Sequence, residues 1–107
     1  MSTAYEIPIV YDEARFKIRT VLDGIELVLY FYWTTRQERW NLDIFDSAEV
    51  ALIRGIVLNV DRNLLAQYEI SGLPTGNLCL YDTSQAHAEC GYSDLGDRCR
   101  LIYQSII

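Results

Sequence analysis

"GIELVLYFYWTTRQERWNLDIFD", residues 24–46, reads as two β-strands joined by a short polar link. Side chains alternate across a strand with a period of two, so Leu27, Leu29, Phe31 and Trp33 share one side of the first strand. Val28, Tyr30 and Tyr32 fall on the other side, where a half-solvated strand would carry charge. "RWNLDIFD" (39–46) alternates too, with Trp40, Leu42 and Ile44 facing in. The stretch predicts a sheet whose central strand is apolar on both faces.

The flanking segments extend that sheet. "RFKIRTVL" (15–22) alternates, with Phe16 and Ile18 facing in and Lys17 and Arg19 facing out. The Asp-Gly pair at 23–24 supplies the positive φ that a two-residue hairpin needs. "YEIPIV" (5–10) reads as a first strand that Pro8 confines to an edge or a strand end. "SAEV" reads as a turn, and "ALIRGIVLNV" (51–60) as a strand that Gly55 bulges or bends. In "DRNLLAQYEISG", Asp61 or Asn63 can cap a short helical turn bearing Leu64, Leu65 and Tyr68, ended by Gly72 and Pro74. "GNLCLYD" (76–82) and "RCRLIYQ" (98–104) are further strands around a long polar loop. The expectation is one all-β domain over 1–107, a small antiparallel β-sandwich or barrel with one short helical turn.

Composition narrows the role. The chain has 107 residues, half of them hydrophobic, and its eight tyrosines suit surfaces that are buried in some contexts and wet in others. Fifteen acidic against nine basic residues give a formal charge of −6, which argues against nucleic-acid binding as the main task. The apolar run from Ile25 to Trp33 is far shorter than the roughly 20 residues of a membrane helix. "MSTAYEIPIV" lacks the basic and hydrophobic regions of a signal peptide, so cytoplasmic synthesis is expected. Three cysteines without a CxxC pair do not indicate a disulfide framework, and reduced thiols are the expectation.

No catalytic, cofactor or metal site can be assembled from these residues. His87 lies three residues before Cys90, but nothing supplies a third group to position such a pair, and a loop histidine beside a half-buried cysteine is the simpler reading. His87, Cys90 and Cys99 with Asp94 or Asp97 lack the close ligand pairs of structural zinc. Asp43 with Asp46, and Asp94 with Asp97, look like strand-face and turn carboxylates rather than an acid–base pair held across a cleft. "GLPTGN" has no following helix or lysine to cradle a phosphate.

A chain this short cannot cover both faces of its own sheet. Either a partner covers the outer face, or the short helical turn near Leu64 does. The tyrosine tips favour a partner, with Val28 adjoining and Tyr30, Tyr32 and Phe45 as aromatic anchors. The apolar tail ending in Ile106 and Ile107 is expected to add to the contact.

The segment order also resembles the small baseplate plug proteins of contractile-tailed phages. Its most specific pieces are W-x-L-D-I-x-D (40–46), G-I-x-L-x-x-x-x-N-L-L-A-Q-Y (55–68) and D-L-G-D-R-x-R-L-x-Y (94–103). The likeness covers nearly the whole chain and departs in the cysteine-containing loop between 79 and 99. It implies a structural virion protein without enzymatic activity or cofactor, placed centrally in the baseplate near tail-tube and hub proteins, in several copies. An alternative from the residues is a small cytoplasmic β-barrel binding an apolar ligand between Trp33 and Trp40, although a barrel of this size is usually filled by its own side chains.

Overall fold

The Asp-Gly hairpin forms as the sequence dictates, within a computed structural model that describes residues 4–9, 14–65, 73–74, 76–84, 89–92, 94–95 and 97–105. Seven strands run β1 (Ala4–Glu6), β2 (Arg15–Leu22), β3 (Ile25–Thr34), β4 (Arg39–Asp46), β5 (Ala51–Val57), β6 (Asn77–Asp82) and β7 (Cys99–Gln104). Asp23 and Gly24 both adopt left-handed backbone, at φ 52° and 79°, so Leu22 pairs directly with Ile25. That closure sets the register of everything that follows, because a slip of one residue would turn each inward side chain outward.

Two antiparallel sheets result, ordered β2-β3-β4-β5 and β1-β7-β6. They pack face to face as an open sandwich. Leu27, Leu29, Phe31, Trp40, Leu42 and Ile44 are buried, and Phe16, Ile18 and Trp33 pack partly buried against them. The second sheet contributes Leu78, Leu80, Leu101 and Tyr103 to the same core. The inward set read from the alternation is therefore the core of the four-stranded sheet.

Strand ends show where local chemistry overrides the pattern. β1 stops at Glu6, and Ile7 still donates from its N–H to Leu101 O at 2.9 Å before Pro8, which has no N–H to offer. β5 stops at Val57 rather than at residue 60. Gly55 sits at φ 78°, and the β4–β5 register shifts beside it, which is the expected bulge. Leu58 N–H still donates to Trp40 O at 2.9 Å, and beyond it the chain leaves for the other sheet, where Val60 bridges Leu80 and Asn63 bridges Cys79.

The helical turn does not form in the described part of 61–68. Residues 61–65 are turn and bridge, and 66–68 lie outside the described residues. Asn63 Oδ1 accepts from the N–H of Leu65 at 3.2 Å but also from that of Leu78 at 3.1 Å. The side chain read as a helix cap thus pins the segment along the edge of β6. Leu64 N donates to Leu78 O at 2.7 Å, and Leu64 and Leu65 enter the core.

The cysteine expectation is also corrected. Cys90 and Cys99 form a disulfide, and only Cys79 is free. The loop before β7 doubles back so that two cysteines nine positions apart meet in the core, 2% and 0% exposed. Sequence separation carries no signal of that folding back. Closing so short a loop contributes about 2.5–3 kcal/mol by chain-entropy reasoning.

One buried hydroxyl joins the sheets. Tyr103, in the central strand of the smaller sheet, hydrogen-bonds the Asp23 carboxylate in the β2–β3 turn and accepts from Gly76 N–H at 2.7 Å. Burial, and then the Asp23 hydrogen bond, push its phenol up to about 12. A phenol raised in the folded state contributes stability that is full below the ordinary value near 10 and is lost as pH climbs through the folded value. Chemical denaturation at intervals from pH 9 to 12 should show that decline. Tyr103→Phe should already be destabilised at pH 8, and its curve should be flatter above pH 10. Parallel curves for the two proteins would remove Tyr103 from the account.

Candidate functional site

The outer face of the four-stranded sheet is assembled by register alone. Val28 pairs with Arg19 on one side and Phe45 on the other, Tyr30 lies between Lys17 and Asp43, and Tyr32 lies between Arg15 and Asn41. Val28 is 3% exposed, whereas Tyr30, Tyr32 and Phe45 are half-buried. The Tyr30 and Tyr32 rings lean together with centroids 5.5 Å apart. The Arg54 guanidinium sits 5.4 Å above the Phe45 ring, a cation–π contact that covers one of its faces. Lys17, Tyr30, Phe45 and Glu49 surround a shallow depression of about 300 Å³.

Beneath the aromatic rings lies a polar anchor. Asp43 is buried on this face, and its Oδ1 accepts from Gly55 N–H at 2.7 Å and from the Tyr32 hydroxyl at 3.2 Å. The carboxylate therefore holds the bulge in β5. Burial, reinforced by Asp43, raises the Tyr32 phenol above its ordinary range, so Tyr32 stays a neutral donor.

This geometry bears on the two-sided strand. Leu64 and Leu65, candidates to roof the outer face, are tied instead to the three-stranded sheet and buried in the core. Among the described residues, the roof consists of the sheet's own long side chains and of Glu49 from the β4–β5 turn. Ile106 and Ile107, the other expected contact residues, lie outside the described residues.

The residues weighed for chemistry are placed structurally. The sulfurs of Cys90 and Cys99 are bonded to each other, so neither is a thiolate for His87, which lies outside the described residues. Arg98, and then the Gly91 N–H, hold the Asp94 carboxyl below the usual range. Asp97 is exposed. Asp46 Oδ1 accepts from the N–H groups of Ala48 and Val50, both at 2.9 Å, and closes the turn before β5. Among the described residues, no three His, Cys, Asp or Glu side chains gather closely enough to hold a metal ion.

The space between Trp33 and Trp40 is occupied. Their rings meet edge to face at 5.7 Å, Phe16 lies 5.7 Å from Trp40, and Tyr92 stacks on Trp40 at 5.6 Å. Tyr92 comes from the polar loop, where no periodicity marks it as a packing residue. Trp40 is fully buried in this cluster, Trp33 and Tyr92 line an open depression of about 340 Å³ with Glu38, Arg39 and Glu89, and the two sheets do not close into a barrel.

An all-β sandwich with an aromatic outer face, and with its notable carboxylates and cysteines spent on turns and cross-links, has the make-up of a structural component. A family model described as cyanophage baseplate Pam3 plug gp18 matches residues 4–105, and the chain belongs to that family. Its role is accordingly structural, in a phage baseplate. No curated protein matches the chain.

Proposed function

We propose that this chain is a non-enzymatic plug subunit of the central baseplate of a contractile tail, present in several copies and held against tail-tube and hub proteins. The observation that carries the reading is the outer sheet face. Tyr30, Tyr32 and Phe45 keep exposed ring surface over a rigid four-stranded support, and no described element covers them. Aromatic anchors on a rigid sheet lose little side-chain entropy when a partner closes over them. Ile106 and Ile107 add to the contact from the C-terminal end. The net charge of −6 suits a protein beside the DNA passage, since it does not retain phosphates.

The test replaces anchors without placing new charge against Asp43. Tyr30→Ser with Phe45→Ser should leave the isolated domain folded, at a cost of about 1–2 kcal/mol for partly buried rings. Incorporation into purified tails, quantified by mass spectrometry, should fall at least about tenfold, the equivalent of 1.4 kcal/mol of lost contact. Wild-type incorporation would remove this face from the interface. Tyr32 is left in place because its hydroxyl supports Asp43.

A further inference from the structure

Among the described residues, three of the four sheet edges are closed to an incoming strand, and one is not. β1 is three residues long and runs into Pro8. β6 is capped by the bridges from Val60 and Asn63. β5 is broken by the Gly55 bulge. Such devices are how sheets avoid edge-to-edge pairing. β2 has no proline, register shift or covering strand among the described residues: its eight residues pair with β3 one for one, and its protection against unselective pairing is a row of charge.

Its free backbone groups can be assigned. Trp33 N donates to Ala14 O, and antiparallel pairs alternate between bonded and unbonded, so Phe16, Ile18, Thr20 and Leu22 spend their groups on β3. Arg15, Lys17, Arg19 and Val21 direct theirs to the open edge. The same four carry exposed side chains on the outer face. Three are cations, and their in-register neighbours on β3 are Tyr32, Tyr30 and Val28, none of them acidic. Lys17 pairs with Glu49 at 3.0 Å, and Arg19 pairs with Glu26 at 2.8 Å, lies 4.0 Å from Glu49 and donates to Ser47 O at 3.3 Å; these contacts are all exposed, and such ion pairs contribute little.

We propose that the β2 edge accepts an extended acidic segment of a neighbouring protein, which adds as a fifth antiparallel strand. Main-chain bonds to Arg15, Lys17, Arg19 and Val21 supply the pairing, and carboxylates at alternate positions sit across from the three cations. A second copy pairing β2 against β2 would set cations against cations in a chain that is otherwise acidic, so the charge row selects a different strand. The inference rests on the chain working among other proteins, but not on Tyr30 or Phe45 touching them.

Two blocked peptides the length of β2, one alternating Glu with Val and one alternating Lys with Val, test it on the isolated protein. Amide exchange is followed by NMR at low salt. The Glu peptide should slow exchange at Arg15, Lys17, Arg19 and Val21 and should bind about tenfold more tightly than the Lys peptide, with the difference shrinking in 0.5 M salt. Arg15→Glu with Lys17→Glu, both exposed and so compatible with folding, should reverse the preference. No protection by the Glu peptide, or equal protection by both, overturns the proposal. Protection of these amides that grows with protein concentration alone also overturns it, in favour of a second copy. Loss of tail incorporation in the Tyr30 and Phe45 variant, with peptide binding intact, would separate the two readings.

Discussion

Trp40→Ala is expected to remove about 3–5 kcal/mol of stability, the usual cost of emptying a buried tryptophan site. The side chain is 0% exposed and contacts Phe16, Trp33 and Tyr92. Trp33 is its in-register partner, and Phe16 stands one strand further out, across from Phe31. Phe16 and Trp33 are fixed by main-chain ladders, so on their side the cavity can close little, and the cost belongs at the upper end. A domain of this size has about 5–15 kcal/mol in total, and its melting temperature should drop by roughly 15 °C or more. Trp40→Phe should do far less harm. The indole Nε1 is buried with no hydrogen-bond partner among the described residues, and removing it relieves a cost of about 1–3 kcal/mol that offsets the lost volume. Urea melts followed by Trp33 fluorescence decide the matter. A loss under about 1 kcal/mol for the alanine variant would show that the aromatic cluster does not hold the sandwich together.

What the sequence revealed follows from how far each determinant reaches along the chain. Alternation from 15 to 46 is local, and β2 and β4 carry the predicted bounds. Asp23-Gly24 is local as well, and it sets the hairpin. In its described part, residues 61–65, the expected helical turn gives way because Asn63 spends its carboxamide on Leu78, fifteen residues away, in addition to the nearby Leu65. The Tyr92–Trp40 stack and the Tyr103–Asp23 hydrogen bond are likewise meetings of distant segments, and the Cys90–Cys99 bond needs the loop between them to double back. None of them leaves a period in the sequence. The outer face was legible as a set of residues, because Tyr30, Tyr32 and Phe45 follow the alternation. Its polar floor was not: Asp43 looked like a solvated strand-face carboxylate and is instead buried beneath Tyr32, holding Gly55.

The motif at 40–46 thereby acquires a physical meaning. Trp40, Leu42 and Ile44 face the core, Asp43 secures the β5 bulge, and Asp46 closes the turn that leads into it. A bulge held in this way twists β5 and leaves Arg54 over Phe45, so one short segment shapes both the core and the outer face.

Arg98→Met is expected to cost about 3 kcal/mol, because it takes the cation from a carboxylate that cannot reach water. Arg98 Nη1 lies 2.7 Å from Asp82 Oδ2, and the Asp82 side chain is wholly buried. The same guanidinium holds Asp94 Oδ2 at 2.9 Å and Glu89 O at 3.0 Å, so one side chain fastens the end of β6 to both arms of the disulfide loop. Asp82 keeps its hydrogen bonds from the Ser84 N–H and hydroxyl, which holds the loss nearer 3 than 5 kcal/mol. Adding Asp82→Asn to Arg98→Met should recover part of the loss, since a neutral amide needs no counter-charge. A double variant no better than the single one would show that Arg98 acts through packing instead. The pH dependence gives a second check. Asp94 is held below its ordinary value mainly by Arg98, so its contribution is full above the ordinary carboxylate value and is lost as pH falls through the folded one. The gap between wild type and Arg98→Met should therefore narrow below about pH 4. The motif at 94–103 is then a lock: Asp94 and Arg98 clamp the loop, Leu95 and Cys99 fill the space under it, and Leu101 and Tyr103 continue the core.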